Sequence, residues 1–379
     1  MAKYKLGDIA PIRQGVGPDK YPCWLLNLDM VESNTGRIIE YLYVQSDEIG
    51  ASTVSFDTRN VLYSKLRPYL NKVVLPEHPG FATSEMLTLM PDTTIITREY
   101  LTHFLRSSHF VGYINEKTSG AKMPRANTAD LKAVEIDCPS IEQQNAIVGV
   151  FEHLTRLIEL RQHQLCILDT LVKARFVEMF GLYPDNPMGW RTGVIRDVVS
   201  DVRYGSSRPA VEGGQYPYLR MNNITYDGEL DLTDTKRIDV PENELDKCTV
   251  RRGDVLFNRT NSKELVGKTC VYDRDEMMVL AGFVIRVRLN DTMLPEFLSA
   301  FLNTDFSKQM LLGMCKAAIG QANINAQEMQ GIGLYIPHIE RQREFVSFKA
   351  QVDKSKAVVQ AALDEAQLLF DSLMQQYFG

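Results

Sequence analysis

The chain has 379 residues, 44% of them hydrophobic, and a formal net charge of −6. That length is a prior for two or three domains with ordinary cores, and the acidic balance argues against a nucleic-acid binder that works through overall charge. No apolar run reaches the roughly 18 residues of a membrane span, the scattered cysteines form no C-x-x-C pair, and the histidines do not cluster. A membrane protein, a disulfide frame and a zinc site are therefore not expected. Met1-Ala2-Lys3-Tyr4-Lys5 lacks the apolar stretch of a secretory signal, so a cytoplasmic location is expected.

In chain order, residues 1–138 read as a first head of mixed α and β character. It opens on Leu6-Gly7-Asp8-Ile9, carries a strand across Asn60–Leu66 that runs into a polar loop, and has a short helix over Glu99–Leu105. Residues 139–181 read as one long helix. Ile147, Phe151, Leu154, Ile158, Leu165, Leu168 and Val172 follow each other at heptad spacing, with Arg161 as the polar break. Gly181 and the prolines of Leu182–Trp190 stop it. Residues 182–336 read as a second head. It opens on Ile195-Arg196-Asp197-Val198, has a strand over Asp254–Arg259, a buried strand or strand pair over Met277–Val287, and a short helix over Glu296–Leu302. Residues 337–379 give a second long helix with the stripe Phe345, Phe348, Val352, Ser355, Val359, Ala362, Ala366, Leu369 and Leu373. Roughly 40 residues at about 1.5 Å each would make rods near 60 Å.

The chain also repeats itself. Pro139-Ser140-Ile141-Glu142-Gln143-Gln144 and Pro337-His338-Ile339-Glu340-Arg341-Gln342 open the long helices, and Phe180-Gly181 and Phe378-Gly379 close them. The offset is 198 residues at both ends (139 to 337, 181 to 379), and Asn127 and Asn325 share it. The expected fold class is α+β: two repeated mixed α/β heads joined by a long antiparallel helical coiled coil with a pseudo-twofold axis. Two similar heads on one rod imply two similar sites a fixed distance apart.

Catalytic signatures are lacking. Val266-Gly267-Lys268-Thr269 resembles the tail of a phosphate-binding loop, but Ser262 stands where that loop needs glycine, so the lysine reads as an ordinary one after a strand. No nucleophile elbow, zincin pair or dinucleotide cradle occurs, and an enzyme acting alone is not expected. The polar loops are more informative. In the first head Lys65, Arg67, Lys122 and Arg125 are candidate DNA contacts; in the second, Arg208, Arg220, Asn222, Asn223, Arg259, Asn261, Lys263, Gln321 and Asn323. Arginine can bridge guanine O6 and N7, asparagine or glutamine can bridge adenine N6 and N7, and lysine serves phosphates. Asn223 and Gln321 read as base contacts, and Lys65 and Lys263 as phosphate contacts.

The duplication, the P-x-x-E-Q-Q helix starts and the F-G endings together resemble the DNA-specificity subunit of type I restriction-modification systems. Tyr218-Leu219-Arg220-Met221-Asn222-Asn223-Ile224, Val255-Leu256-Phe257-Asn258-Arg259-Thr260 and Ile339-Glu340-Arg341-Gln342 carry the likeness, while Tyr63-Ser64-Lys65 has lysine in place of the more usual arginine. The resemblance implies that each head is a target-recognition domain for half of a split site in double-stranded DNA. It implies a helical spacer, two methyltransferase subunits that methylate adenine N6, and restriction subunits that add ATP-dependent cleavage. S-adenosylmethionine, ATP and Mg would be held by those partners, with no cofactor and no catalytic group on this chain. A tandem adaptor joining two protein partners is the competing reading of the duplication.

Overall fold

The structure, a computed structural model, describes residues 2–118, 122–315 and 322–379. The chain forms two compact units: Met1–His163 with Gln360–Gly379, and Gln164–Val359. Each unit holds one head, the near half of one long helix and the far half of the other. The helices span Ile141–Phe180 and Ile339–Phe378.

The first head has a four-stranded sheet in the order Leu42–Val44, Cys23–Leu26, Gly80–Thr83, Thr53–Phe56, and a three-stranded sheet in the order Val73–Val74, Val61–Ser64, Met86–Leu89. The second repeats the plan, with Lys236–Ile238, Tyr216–Leu219, Met278–Leu280, Thr249–Val250 in one sheet and Val199–Tyr204, Val284–Leu289, Val255–Asn258, Thr269–Val271 in the other. In both heads one central pair is parallel: Leu26 beside Ala82, and Leu219 beside Leu280. The apolar run Met277–Val287 is thus two strands in different sheets, separated by a turn at Ala281-Gly282-Phe283.

The repeated motifs have a physical basis. Gln144 and Gln342 are fully buried polar side chains at the starts of the long helices. Gln144 Oε1 accepts from Thr97 N at 2.9 Å, and its Nε2 donates to Ile95 O at 2.8 Å and Pro139 O at 2.9 Å. Gln342 repeats this with Leu294 N at 2.8 Å, Thr292 O at 2.9 Å and Pro337 O at 2.8 Å. Each glutamine satisfies backbone groups that burial would otherwise leave unpaired, and so fixes a long helix to its own head. At the other ends, the Phe378 ring packs on Tyr100 at 5.0 Å between centroids, and the Phe180 ring on Phe297 at 4.8 Å. Asn127 and Asn325 cap the short helices Thr128–Ala133 and Ala326–Gln330, their Oδ1 atoms accepting from Ala129 N and from Gln327 N and Glu328 N, each at 2.9 Å.

Within the first unit Phe151 meets Phe370 at 5.2 Å and Phe378 at 5.9 Å; Leu154 is buried, and Ile147 and Ile158 are half-buried. Within the second, Phe176 meets Phe345 at 5.2 Å and Asp169 pairs with Lys356 at 2.7 Å, so the two segments run antiparallel there. Val352 is buried; Leu165, Leu168 and Val359 are half-buried. Leu369 departs from the expected packing stripe. It is 48% exposed, and the inward row passes from Ala366 to Phe370, Leu373 and Met374. At about 100° per residue, the three-residue step from Ala366 to Leu369 turns about 60° to one side and the four-residue step to Phe370 about 40° to the other, and the packed face lies on the Phe370 side.

Candidate nucleic-acid interface

Both heads build their basic tip the same way. The strand Val61–Ser64 runs into Lys65, whose N–H donates to Glu85 O at 3.0 Å and whose carbonyl accepts from Ala126 N at 2.8 Å. The strand Val255–Asn258 runs into Arg259, whose N–H donates to Phe283 O at 2.9 Å and whose carbonyl accepts from Ile324 N at 2.9 Å. Lys65 and Arg259 are therefore equivalent residues, and so are Arg125 and Asn323 in the loop that lies alongside. That loop adds a bridge between Leu66 and Arg125 in the first head and between Thr260 and Asn323 in the second.

In the first head Lys65, Arg67 and Arg125 come together. Arg125 forks onto Glu85, with Nη2 3.0 Å from Oε1, and Lys65 Nζ lies 3.9 Å from Glu85 Oε2. The Glu85 carboxylate holds the Arg125 guanidinium above its usual pKa through that hydrogen bond. Arg67 is exposed with a left-handed backbone, φ 48°, its N–H donating to Pro124 O at 2.8 Å. Lys122 is exposed on the same loop as Arg125.

In the second head Arg208, Arg220, Asn222 and Arg259 line one cleft of about 540 Å³, with Ser206, Ser207 and the Gly282-Phe283 turn. The Arg259 guanidinium sits 4.8 Å over the Tyr204 ring, its Nε donating to Asn323 Oδ1 at 3.3 Å. Tyr204 is anchored in turn, its hydroxyl accepting from Ala326 N at 2.9 Å. Arg208 pairs with Glu244 and Arg220 with Asp234, each at 2.8 Å. Solvent screens surface pairs of this kind, so these arginines can exchange a carboxylate for a phosphate or base edge. Asn222 and Lys263 are exposed, and Asn261 Oδ1 accepts from Ser262 N at 2.9 Å. Gln321 lies outside the described residues.

Asn223 departs from the base-contact expectation. It is 2% exposed, its Oδ1 accepts from Arg220 N at 2.8 Å, and its Nδ2 donates to Asp231 O at 2.8 Å and Asp234 O at 3.3 Å. A side chain with those bonds locks a turn and has no free edge for a base. Lys268 also differs from an ordinary loop lysine. It is buried, its Nζ donates to Met221 O at 2.9 Å and to Ile224 O, and burial pushes its pKa down. Lys72 does the same in the first head, donating to Leu28 O at 2.6 Å. These lysines tie a 3₁₀ turn to the sheet.

Phe283 and Glu85 are the tip residues that the sequence did not single out. Phe283 lies inside an apolar run, yet the turn at Gly282 leaves it 53% exposed. Among the described residues no cluster of three or more His, Cys, Asp or Glu is placed to hold a metal ion, and no helix is long and apolar enough to cross a membrane.

The model of the type I restriction modification DNA specificity domain matches residues 1–167 and again 188–366. The chain is 22% identical over 310 residues to the type I restriction enzyme EcoKI specificity subunit of Escherichia coli K12, covering 76% of this chain and 66% of that protein. It is 21% identical over 303 residues to the StySPI specificity subunit of Salmonella potsdam, covering 75% and 65%. The match thus spans just under two thirds of those relatives' own lengths. The fold resembles a solved chain described under the structural basis of complex assembly and conformational transition of the type I R-M system, with TM-score 0.64, 18% identity, and 100% and 97% of the two chains covered. It also resembles the type I restriction-modification S subunit from M. genitalium, with TM-score 0.56, 14% identity, and 100% and 96% covered. With two matched copies that together take in most of its length, the chain belongs to the type I restriction modification DNA specificity domain family.

Proposed function

We propose that this chain is the DNA-reading subunit of a type I restriction-modification complex. The heads, residues 1–138 and 182–336, act as target-recognition domains, each reading one half of a bipartite site in double-stranded DNA. The segments 139–181 and 337–379 act as an antiparallel spacer that sets the number of unread bases. Half-sites about one helical turn apart, roughly 34 Å, would face the same side of the duplex. Two methyltransferase subunits bind the chain and methylate adenine N6, and restriction subunits add ATP-dependent cleavage. S-adenosylmethionine, ATP and Mg belong to those partners, and this chain supplies no catalytic group. The complex works in the cytoplasm.

One observation carries this reading. The same backbone frame ends in Lys65 in one head and Arg259 in the other, and each is surrounded by different side chains. A shared frame with unlike basic tips suits two readers of different words. The net charge of −6 is compatible with it, because phosphate contacts need local cations and the partners would enclose the rest of the duplex.

The test is selection of bound duplexes from a randomised library by the chain with its methyltransferase partner. The expected product is a split word with a fixed gap. Equal binding of all sequences would remove the specificity role.

A further inference from the structure

Glu85 and Phe283 occupy the same place in two copies of one frame, each accepting through its backbone carbonyl from the residue that follows the tip strand, Lys65 or Arg259. Their side chains differ in kind. Glu85 receives Arg125 Nε at 3.2 Å on each carboxylate oxygen and Nη2 at 3.0 Å, with Lys65 beside it. Phe283, half exposed, lines the cleft together with Arg208, Arg220 and Arg259.

A carboxylate in a patch that faces a polyanion weakens binding to every sequence through like-charge repulsion. That cost is offset at a site where a base donates to the carboxylate. A G·C pair presents two acceptors, guanine N7 and O6, beside one donor, cytosine N4. Arg125 Nε and one Nη2 hydrogen are held on Glu85, which leaves Nη1 and the other Nη2 hydrogen to donate, so the pair offers the complement, donors next to an acceptor. In the second head the same position is an exposed apolar ring, which finds an apolar partner in the major groove only at the thymine methyl.

We propose that the residue at this tip sets base identity at the corresponding place in each half-site. Glu85 with Arg125 selects a G·C pair in the word of the first head, and Phe283 selects an A·T pair in the word of the second. The inference rests on the DNA-reading function proposed above.

The test compares words selected from a randomised duplex library by the full chain with its methyltransferase partner, for wild type, Glu85→Gln and Phe283→Ala. Glu85→Gln keeps the shape and removes the charge. The G·C preference at one position of one word should fall by about fivefold, the low end for a base contact because Gln Oε1 still accepts while its amide N–H₂ repels the cytosine donor, and the other word stays unchanged. Phe283→Ala should lower an A·T preference at one position of the other word by a smaller factor. The proposal is overturned if every position stays within about twofold, the scatter of independent substitutions. It is also overturned if all positions of the word weaken together, because a carboxylate that only orders the loop acts on all of them, or if the altered position is not G·C. A wild type that selects no split word would instead overturn the DNA-reading function. The untouched word reports that the variant is folded. Should Glu85→Gln fail to fold, Glu85→Phe replaces it, carrying the residue this frame already holds in the second head, and is expected to turn the G·C position into A·T.

Discussion

The two heads share their joints and differ at their tips. Gln144 and Gln342 make the same three hydrogen bonds, and Lys72 and Lys268 tie down the same turn. Another joint is a glycine turn. Gly36 and Gly228 both have positive φ, 67° and 87°, and rest against Arg106 and Asn303, which donate to Val73 O at 2.6 Å and Thr269 O at 2.8 Å. At the tips, by contrast, Glu85 has Phe283 as its counterpart and Arg125 has Asn323. Groups that satisfy buried backbone have few substitutes, whereas exposed tip residues answer only to what they touch.

The buried glutamines should give the largest effect, and an equal one in both units. Gln144→Ala or Gln342→Ala strands one N–H and two carbonyls, at about 3 kcal/mol or more of stability by denaturant unfolding. A loss in one unit and none in the other would break the equivalence of the joints.

Acid should separate the units. His103 stacks on Phe151 at 4.8 Å, and burial, with Arg106 beside it, pushes its pKa down to about 4 from 6.5. Tyr100, Leu101 and Phe104 match Phe297, Leu298 and Phe301 at an offset of 197, which places Ala300 where His103 stands. The fold favours neutral His103. Its contribution is full above the unfolded pKa of 6.5 and declines as pH falls towards about 4, by roughly 3 kcal/mol in all. Trp24 reports on the first unit and Trp190 on the second, so Trp24→Phe and Trp190→Phe chains isolate each signal. Urea unfolding at pH 7 and pH 5 should show an acid loss in the Trp24 signal that His103→Ala removes. An equal, histidine-independent loss in both signals would contradict the assignment.

At the tips, Lys263→Ala or Arg67→Ala should weaken binding to all sequences alike and lower the salt slope by about 1. A change at one base position only would make the residue a base reader. The smallest effect belongs to the corrected stripe. Leu369→Ala should stay within about 0.5 kcal/mol, as exposed positions do, against about 3–5 kcal/mol for Phe151→Ala in the core. A large loss at Leu369 would return that residue to the packed stripe.

Much of the frame was legible because a repeat exposes it. Matching helix starts and ends at one offset located both long helices, and apolar periodicity located the short helices at Arg98–Arg106 and Pro295–Leu302. The basic loops were found because arginine and lysine have few other reasons to gather there. What stayed hidden depended on three-dimensional context. Gln144 reads as a surface residue until the backbone around it is seen to need it. Asn223 has the chemistry of a base reader but spends every bond on its own turn. Phe283 belongs by composition to a buried strand, and a single turn puts it outside.

The most direct test of the account is the methylome of cells carrying this chain with the methyltransferase subunit proposed as its partner. Two short unrelated words, separated by a constant unread gap and methylated on adenine, are the predicted result. One uninterrupted word, or the same word twice, would contradict a pair of heads that share a frame and read different bases.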